Sequence, residues 1–278
     1  MYAQLKQEGD NSKLVNLYHE IGGNTLQLYG VSERDPLFNM PYLFTKQGFN
    51  KTKLDTNSSF MQGIKNEYWV YGDEYKNKVD KTDLVKLSTD VEQLYLLEYA
   101  DQWSHFYTSF NLEAFPRGGM MIARLKRLAD PVSSPLLKIT DLVVKHTQLN
   151  KSSSLVKSVA GDKGLIAGAA DKLVTKNLVD KQFSKTHQIT EALNEQPAKI
   201  QDYLIAISEL VELLTEIEAA SDSNQAAYDI ARARFTGEDE NPIQNLGVLS
   251  ESAPDQFKVW LKSIAQYSWA DVLAMSKQ

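Results

Sequence analysis

The chain has 278 residues, 42% hydrophobic and 24% charged, with only 14 Gly and 8 Pro. That composition describes a folded chain with a sizeable core, and excludes collagen-like, low-complexity and disordered classes. A net charge of −6 without a basic cluster argues against nucleic acid as a partner, since phosphate neutralisation supplies much of that affinity. The lack of cysteine excludes disulfides, thiol catalysis and Cys-ligated zinc.

Leu14, Val15, Leu17, Tyr18 and Ile21 have helical spacing, ended by Gly22-Gly23. Asn24–Val31 alternates enough to predict a short strand, and Asp35–Pro41 reads as a connection. Glu67–Gly72 is aromatic and β-branched, as in a strand or a helix end. From Leu84 the pattern sharpens. Leu84, Leu87, Val91, Tyr95, Tyr99, Trp103, Phe106 and Phe110 step by three or four, which predicts one helix of roughly 40 Å with a single apolar stripe. Met120–Leu128 forms the next helix, stopped by Asp130-Pro131, with Arg124, Lys126 and Arg127 on its wet side. Ser134-Pro135 supplies an N-cap followed by proline in the first turn of another. Asn150–Gly168, rich in Ser, Gly and Lys, is expected to be a loop or boundary with its tip at Gly161–Gly164. Helices are expected over Ala169–Leu193, Ile200–Ile217, Asn224–Phe235, Pro242–Leu249 and Pro254–Met275. The fold class is therefore mainly all-α: a multi-helix assembly, more than half helical, with a small irregular N-terminal portion. That portion has room for a short β hairpin, and any strand is expected before Lys81.

Residue chemistry offers no strong site. His19, His105, His146 and His187 have no zinc-motif spacing and read as scattered surface or boundary residues, so no metal is expected. Gly161, Gly164 and Gly168 lack the order of a phosphate loop, so no cofactor is expected. Glu98 and Asp101 share a helix face and could do acid–base work, but they flank the apolar stripe without a nearby histidine and read as a solvated edge. Ser134 is outside any nucleophile elbow, and its place before Pro135 explains it as a cap. No stretch reaches the roughly 20 apolar residues needed to span a bilayer, and Met1–Asp10 lacks a signal-peptide core.

Val91–Leu137 reads VEQLYLLEYADQWSHFYTSFNLEAFPRGGMMIARLKRLADPVSSPLL. Leu94, Tyr95, Tyr99, Trp103, Phe106, Phe115, Leu125, Leu128, Ala129, Ser134, Pro135 and Leu136 give it an ordered set that resembles the central signature of the IcmF/TssM inner-membrane proteins of bacterial type VI and Dot/Icm type IV secretion systems. Upstream, Pro41, Phe44, Thr45, Gly48 and Phe49, then Trp69–Gly72, resemble further elements of that family. Downstream, so do Val179-Asp180, Phe183 and His187, then Pro242, Leu246, Pro254, Trp260-Leu261, Ile264-Ala265 and Ser268-Trp269. The likeness departs at Val132-Ser133, where the family usually has an acidic residue, at Glu98, where it commonly has aspartate, and in the polar 150–168 loop.

The resemblance implies a non-catalytic structural stretch of the periplasmic region of a secretion-system membrane protein, supporting assembly of a trans-envelope channel. It implies partners among the other membrane-complex subunits and copies of the same protein. Family members also carry membrane helices and a C-terminal β domain that binds an outer-membrane lipoprotein. Lipoprotein binding is thus expected mainly outside this stretch. Three segments are expected: 1–80 small and mixed, 81–150 helical with the signature, and 151–278 helical. The competing readings are an envelope enzyme or substrate-binding domain using Glu98 and Asp101, and a soluble cytoplasmic adaptor.

Overall fold

The computed structural model describes residues 13–52, 81–149, 178–192, 197–237 and 241–277, with residues 81–88 and 255 described by backbone alone. Two short strands, β1 (Leu14–Asn16) and β2 (Asn39–Pro41), pair antiparallel with Val15 opposite Met40. Twelve α-helices follow in chain order among the described residues. They are α1 Tyr18–Ile21, α2 Gly23–Leu26, α3 Lys46–Lys51, α4 Lys81–Thr108, α5 Gly119–Ala129, α6 Pro135–Thr147, α7 Leu178–Gln182, α8 Ser184–Thr190, α9 Ile200–Ala219, α10 Ser223–Thr236, α11 Pro242–Ser252 and α12 Asp255–Met275. The mainly α expectation holds, and the strands among the described residues precede Lys81.

The N-terminal expectations are corrected. Leu14–Asn16 is extended because its backbone pairs with β2, and Leu17 N–H donates to the Phe38 carbonyl at 2.8 Å. The helical spacing there reflects two structures joined end to end. Asn24–Val31 is not a strand: α2 runs into a 3₁₀ turn at Gln27–Tyr29. The tighter turn puts Thr25, Leu26, Leu28 and Tyr29 all in the core, which imitates alternation in the sequence. Asp35–Pro41, expected to be a plain connection, contains a 3₁₀ turn and β2. Glu67–Gly72 and the 150–168 loop lie outside the described residues.

Local chemistry sets the helix ends. The Ser134 hydroxyl donates to the Leu128 carbonyl at 2.6 Å and accepts from Leu136 N–H at 3.2 Å, so one side chain ends α5 and opens α6 at Pro135. Asn241 and Gln244 form a capping box at α11 with Pro242 in its first turn. Helix α10 starts at Asp222, which caps Gln225 N–H, and stops at Gly237, whose φ of 71° suits glycine.

The chain divides into two compact units, each drawn from separated stretches. The first takes its described residues from within Met1–Leu17, Pro36–Phe106 and Val143–Ser184; the second from within Tyr18–Asp35, Tyr107–Leu142 and Lys185–Gln278. Consecutive segments 1–80, 81–150 and 151–278 track changes of pattern along the chain. Compactness instead follows which apolar faces cover one another. In the second unit, α9 buries Ile200, Tyr203, Leu204, Ile207, Leu210, Val211, Leu214 and Ile217, and packs against α5, α10 and α11. Helix α12 packs against α10 and α11.

Candidate functional site

In the first unit, the stripe of α4 makes a lock of aromatic side chains that carry polar ends. Trp103 is fully buried, and its Nε1–H donates to the Phe44 carbonyl at 2.6 Å. Tyr95 donates to the Leu43 carbonyl at 2.7 Å, and Tyr99 to the His146 carbonyl at 2.6 Å. Three successive turns of one helix thus satisfy carbonyls of the Tyr42–Phe44 turn and the end of α6. Buried carbonyls need such donors, and burying tyrosine or tryptophan requires a partner for the polar atom. His146 stacks on Trp103 with centroids 4.7 Å apart and planes at 12°, and its Nδ1 accepts from Lys46 N–H at 3.2 Å. Replacing Tyr99 with Phe should cost about 1–3 kcal/mol, measured by urea unfolding, because a buried carbonyl loses its donor while the ring stays.

The turn that receives these donors is built tightly. Thr45 accepts from Gly48 N–H at 3.1 Å to cap α3, and donates to the Tyr42 carbonyl at 2.7 Å. A Cβ on Gly48 would lie 2.0 Å from that same carbonyl oxygen, so only glycine fits. Phe44 and Phe49 then pack on Tyr95 and Tyr99 with centroids 6.1 to 6.3 Å apart. Gly48→Ala should destabilise the chain by about 1–3 kcal/mol, since the obstructing atom is backbone; thermal melting checks it.

The second unit has its own node. Trp260 Nε1–H and Gln256 Nε2–H both donate to the Phe110 carbonyl, at 2.5 and 2.7 Å. Tyr29, Tyr107 and Phe257 surround the indole within 6.0 Å between centroids. The Tyr107 hydroxyl meets Thr140 at 3.2 Å.

Burial raises the phenols of Tyr29, Tyr95, Tyr99 and Tyr107 above their ordinary value of 10.0, with lesser upward pushes on Tyr29 from Tyr107 and on Tyr99 from Tyr95 and Asp180. Opposing contacts from Trp103 on Tyr99 and Thr140 on Tyr107 reduce but do not cancel the rise. The folded state therefore holds these protons where the unfolded chain releases them. Their contribution is complete below about pH 10 and is lost as pH rises through the folded values. Alkaline titration should show the buried tyrosines ionising together with unfolding. Titration of all 13 tyrosines near 10 with circular dichroism unchanged would contradict this.

The structure sorts the signature residues into groups. Tyr95, Tyr99, Trp103 and Phe106 are buried in the first unit. Leu128, Ser134, Pro135, Leu136 and Trp260 are buried in the second. Phe115 lies at the edge of that core, tilted against Tyr267 at 5.2 Å with Arg124 above it. Two residues depart from the buried set. Leu94 is 51% exposed, because it sits one residue, and so about 100° of helix turn, from Tyr95. Trp269 is half-buried, with the Arg234 guanidinium 4.0 Å over its ring.

The histidines are not all peripheral: His146 and His187 are buried, whereas His19 and His105 are exposed. Sequence reasoning missed His146, whose partner Trp103 lies on another helix. Among the described residues, no group of three potential ligands could hold a metal ion. Asp101 is exposed and Glu98 half-buried at the edge of α4. Among the described residues, that placement gives acid–base chemistry no enclosed setting. No described helix is long and apolar enough to cross a membrane.

The family profile described as IcmF-related, intracellular multiplication and human macrophage-killing, matches residues 1–148, and the chain belongs to that family. It is 27% identical over 181 residues to the type VI secretion system component TssM1 of Pseudomonas aeruginosa, a match covering 64% of this chain and 15% of that protein. The chain thus spans a small part of that relative's length. No solved structure matches it.

Proposed function

We propose that this chain is a non-catalytic structural segment of the periplasmic region of a secretion-system membrane-complex protein, and that it supports assembly of a trans-envelope channel. The observation that carries the reading is the lock of Tyr95, Tyr99 and Trp103, which spends the signature's polar atoms on backbone carbonyls of the chain itself. Residues committed to holding a fold are suited to a rigid spacer. Family membership supports a secretion role, and the likeness to TssM1 favours the type VI kind. Its partners are then the other membrane-complex subunits and further copies of the same protein. Affinity purification of the gene product from envelope extracts of its source bacterium tests this. The expected result is recovery of other secretion-complex subunits with the wild-type protein, reduced for a Trp103→Ala variant. Wild-type protein that never brings down another secretion subunit would overturn the proposal.

A further inference from the structure

The second unit holds a polar pocket of about 660 Å³ where α2 meets the end of α5 and the start of α6. Thr25 and Gln27 line one wall. Lys126 and Arg127, from the last turn of α5, and Lys138, from the start of α6, line the rest. The volume suits a small ligand.

The charges of this lining do not balance. It carries three cations and one carboxylate, Asp130, which leaves two positive charges. Among the described residues, no carboxylate oxygen lies within ion-pair distance of Lys126, Arg127 or Lys138. The Asp130 carboxylate is turned to the backbone, where its Oδ1 accepts from Val132 N–H at 2.9 Å and from Ser133 N–H at 2.6 Å. Its coupling to Lys138 is a lesser effect. Residues 13–52 and 89–149 are described without a break, so the charges that flank the lining along the chain are all placed.

Helix chemistry explains only part of this cluster. A last turn suits cations, which accounts for Lys126 and Arg127 by themselves. Arg127 is also fixed in place, because its guanidinium donates to the Asn24 carbonyl. Lys138 is different. It is the fourth residue of α6, near the positive end of that helix, where a cation is disfavoured. Its own helix gives no reason for it. An anion in the pocket does, and the helix end would add to that anion's attraction.

Thr25 adds an independent observation. It is 4% exposed yet lines the pocket, and its hydroxyl makes no hydrogen bond among the described residues. A buried hydroxyl needs a partner. Guanidinium, ammonium and hydroxyl donors around one space are the donor set for phosphate oxygens. Two surplus positive charges match a phosphate of charge about −1.5 to −2 better than a single carboxylate.

We propose that this pocket binds a phosphate group, with Lys126, Arg127 and Lys138 neutralising it and the Thr25 hydroxyl donating to one of its oxygens. The group belongs either to a lipid headgroup or to a soluble phosphate compound. The inference goes beyond the scaffold reading and does not rest on it.

Calorimetric titration of the purified chain with inorganic phosphate tests it, with chloride at equal ionic strength as the blank. Phosphate should bind saturably. Lys126→Gln and Lys138→Gln change exposed side chains, and each should weaken binding about tenfold through loss of one charge-assisted bond. Thr25→Val keeps the side-chain shape and should also weaken it. Arg232→Gln removes an exposed cation of α10 outside the pocket and should bind as the wild type does. Circular dichroism checks that each variant is folded. Flotation with vesicles of phosphatidylglycerol and phosphatidylcholine in equal parts, against phosphatidylcholine alone, then separates the sources. Retention on the acidic vesicles that Lys138→Gln abolishes assigns a lipid headgroup, and its absence assigns a soluble phosphate compound. The proposal is overturned by phosphate heats no different from those of chloride, or by binding equally strong in the wild type, Lys126→Gln and Lys138→Gln.

Discussion

Trp103→Ala should destabilise the chain by about 3–5 kcal/mol in chemical denaturation, the range for deleting a core aromatic. Three losses combine. The indole is 0% exposed, so its removal leaves a cavity. The Phe44 carbonyl loses its donor at 2.6 Å. His146 loses the ring it stacks on at 4.7 Å, and Phe106 an edge contact at 5.3 Å. Trp103→Phe separates these causes. It keeps much of the apolar volume but removes the N–H, so it should cost less than the alanine variant and still about 1–3 kcal/mol. A loss below about 1 kcal/mol for the alanine variant would show that the signature face of α4 is not core.

The second large effect is expected at Trp260. Trp260→Ala should also cost about 3–5 kcal/mol, because the indole is 0% exposed among Tyr29, Tyr107 and Phe257. Trp260→Phe should differ from its counterpart at Trp103. Gln256 still donates to the Phe110 carbonyl at 2.7 Å, so that acceptor is not orphaned. The phenylalanine variant at 260 should therefore be milder than the one at 103. Equal losses at the two positions would mean that ring volume, and not carbonyl satisfaction, sets the cost.

How far the sequence could be read depended on the range of the interactions involved. The α4 stripe was legible because every member from Val91 to Phe106 faces one way at helical spacing, and so was the Ser134-Pro135 start, which uses bonds within a few residues. The Leu14–Ile21 segment was misread because Leu14–Asn16 takes its conformation from Asn39–Pro41, a pairing that no local pattern announces. Asn24–Val31 was misread because a helix tightening into a 3₁₀ turn buries Leu26 and Leu28 two apart, as a strand would. The aromatic lock was half legible. Its residues stood out by type and spacing, but their acceptors, Leu43, Phe44 and His146, lie 47 to 59 residues away in the chain. The groove between α10, α11 and α12 was not legible at all, because Arg234, Val248 and Trp269 come to it from three helices and follow no shared period.

Secretion by the source bacterium carrying single chromosomal substitutions tests the central claim most directly. A structural segment needs its fold and not an acid–base pair. Glu98→Gln keeps the shape of a half-buried side chain and removes only its charge and basicity. The account predicts wild-type substrate export for Glu98→Gln and loss of export for Trp103→Ala, with the loss following the fall in folded protein. A catalytic carboxylate would reverse the order, since removing a general acid or base costs about 10²–10⁴ in rate. Export abolished by Glu98→Gln at normal protein level and stability would contradict the account.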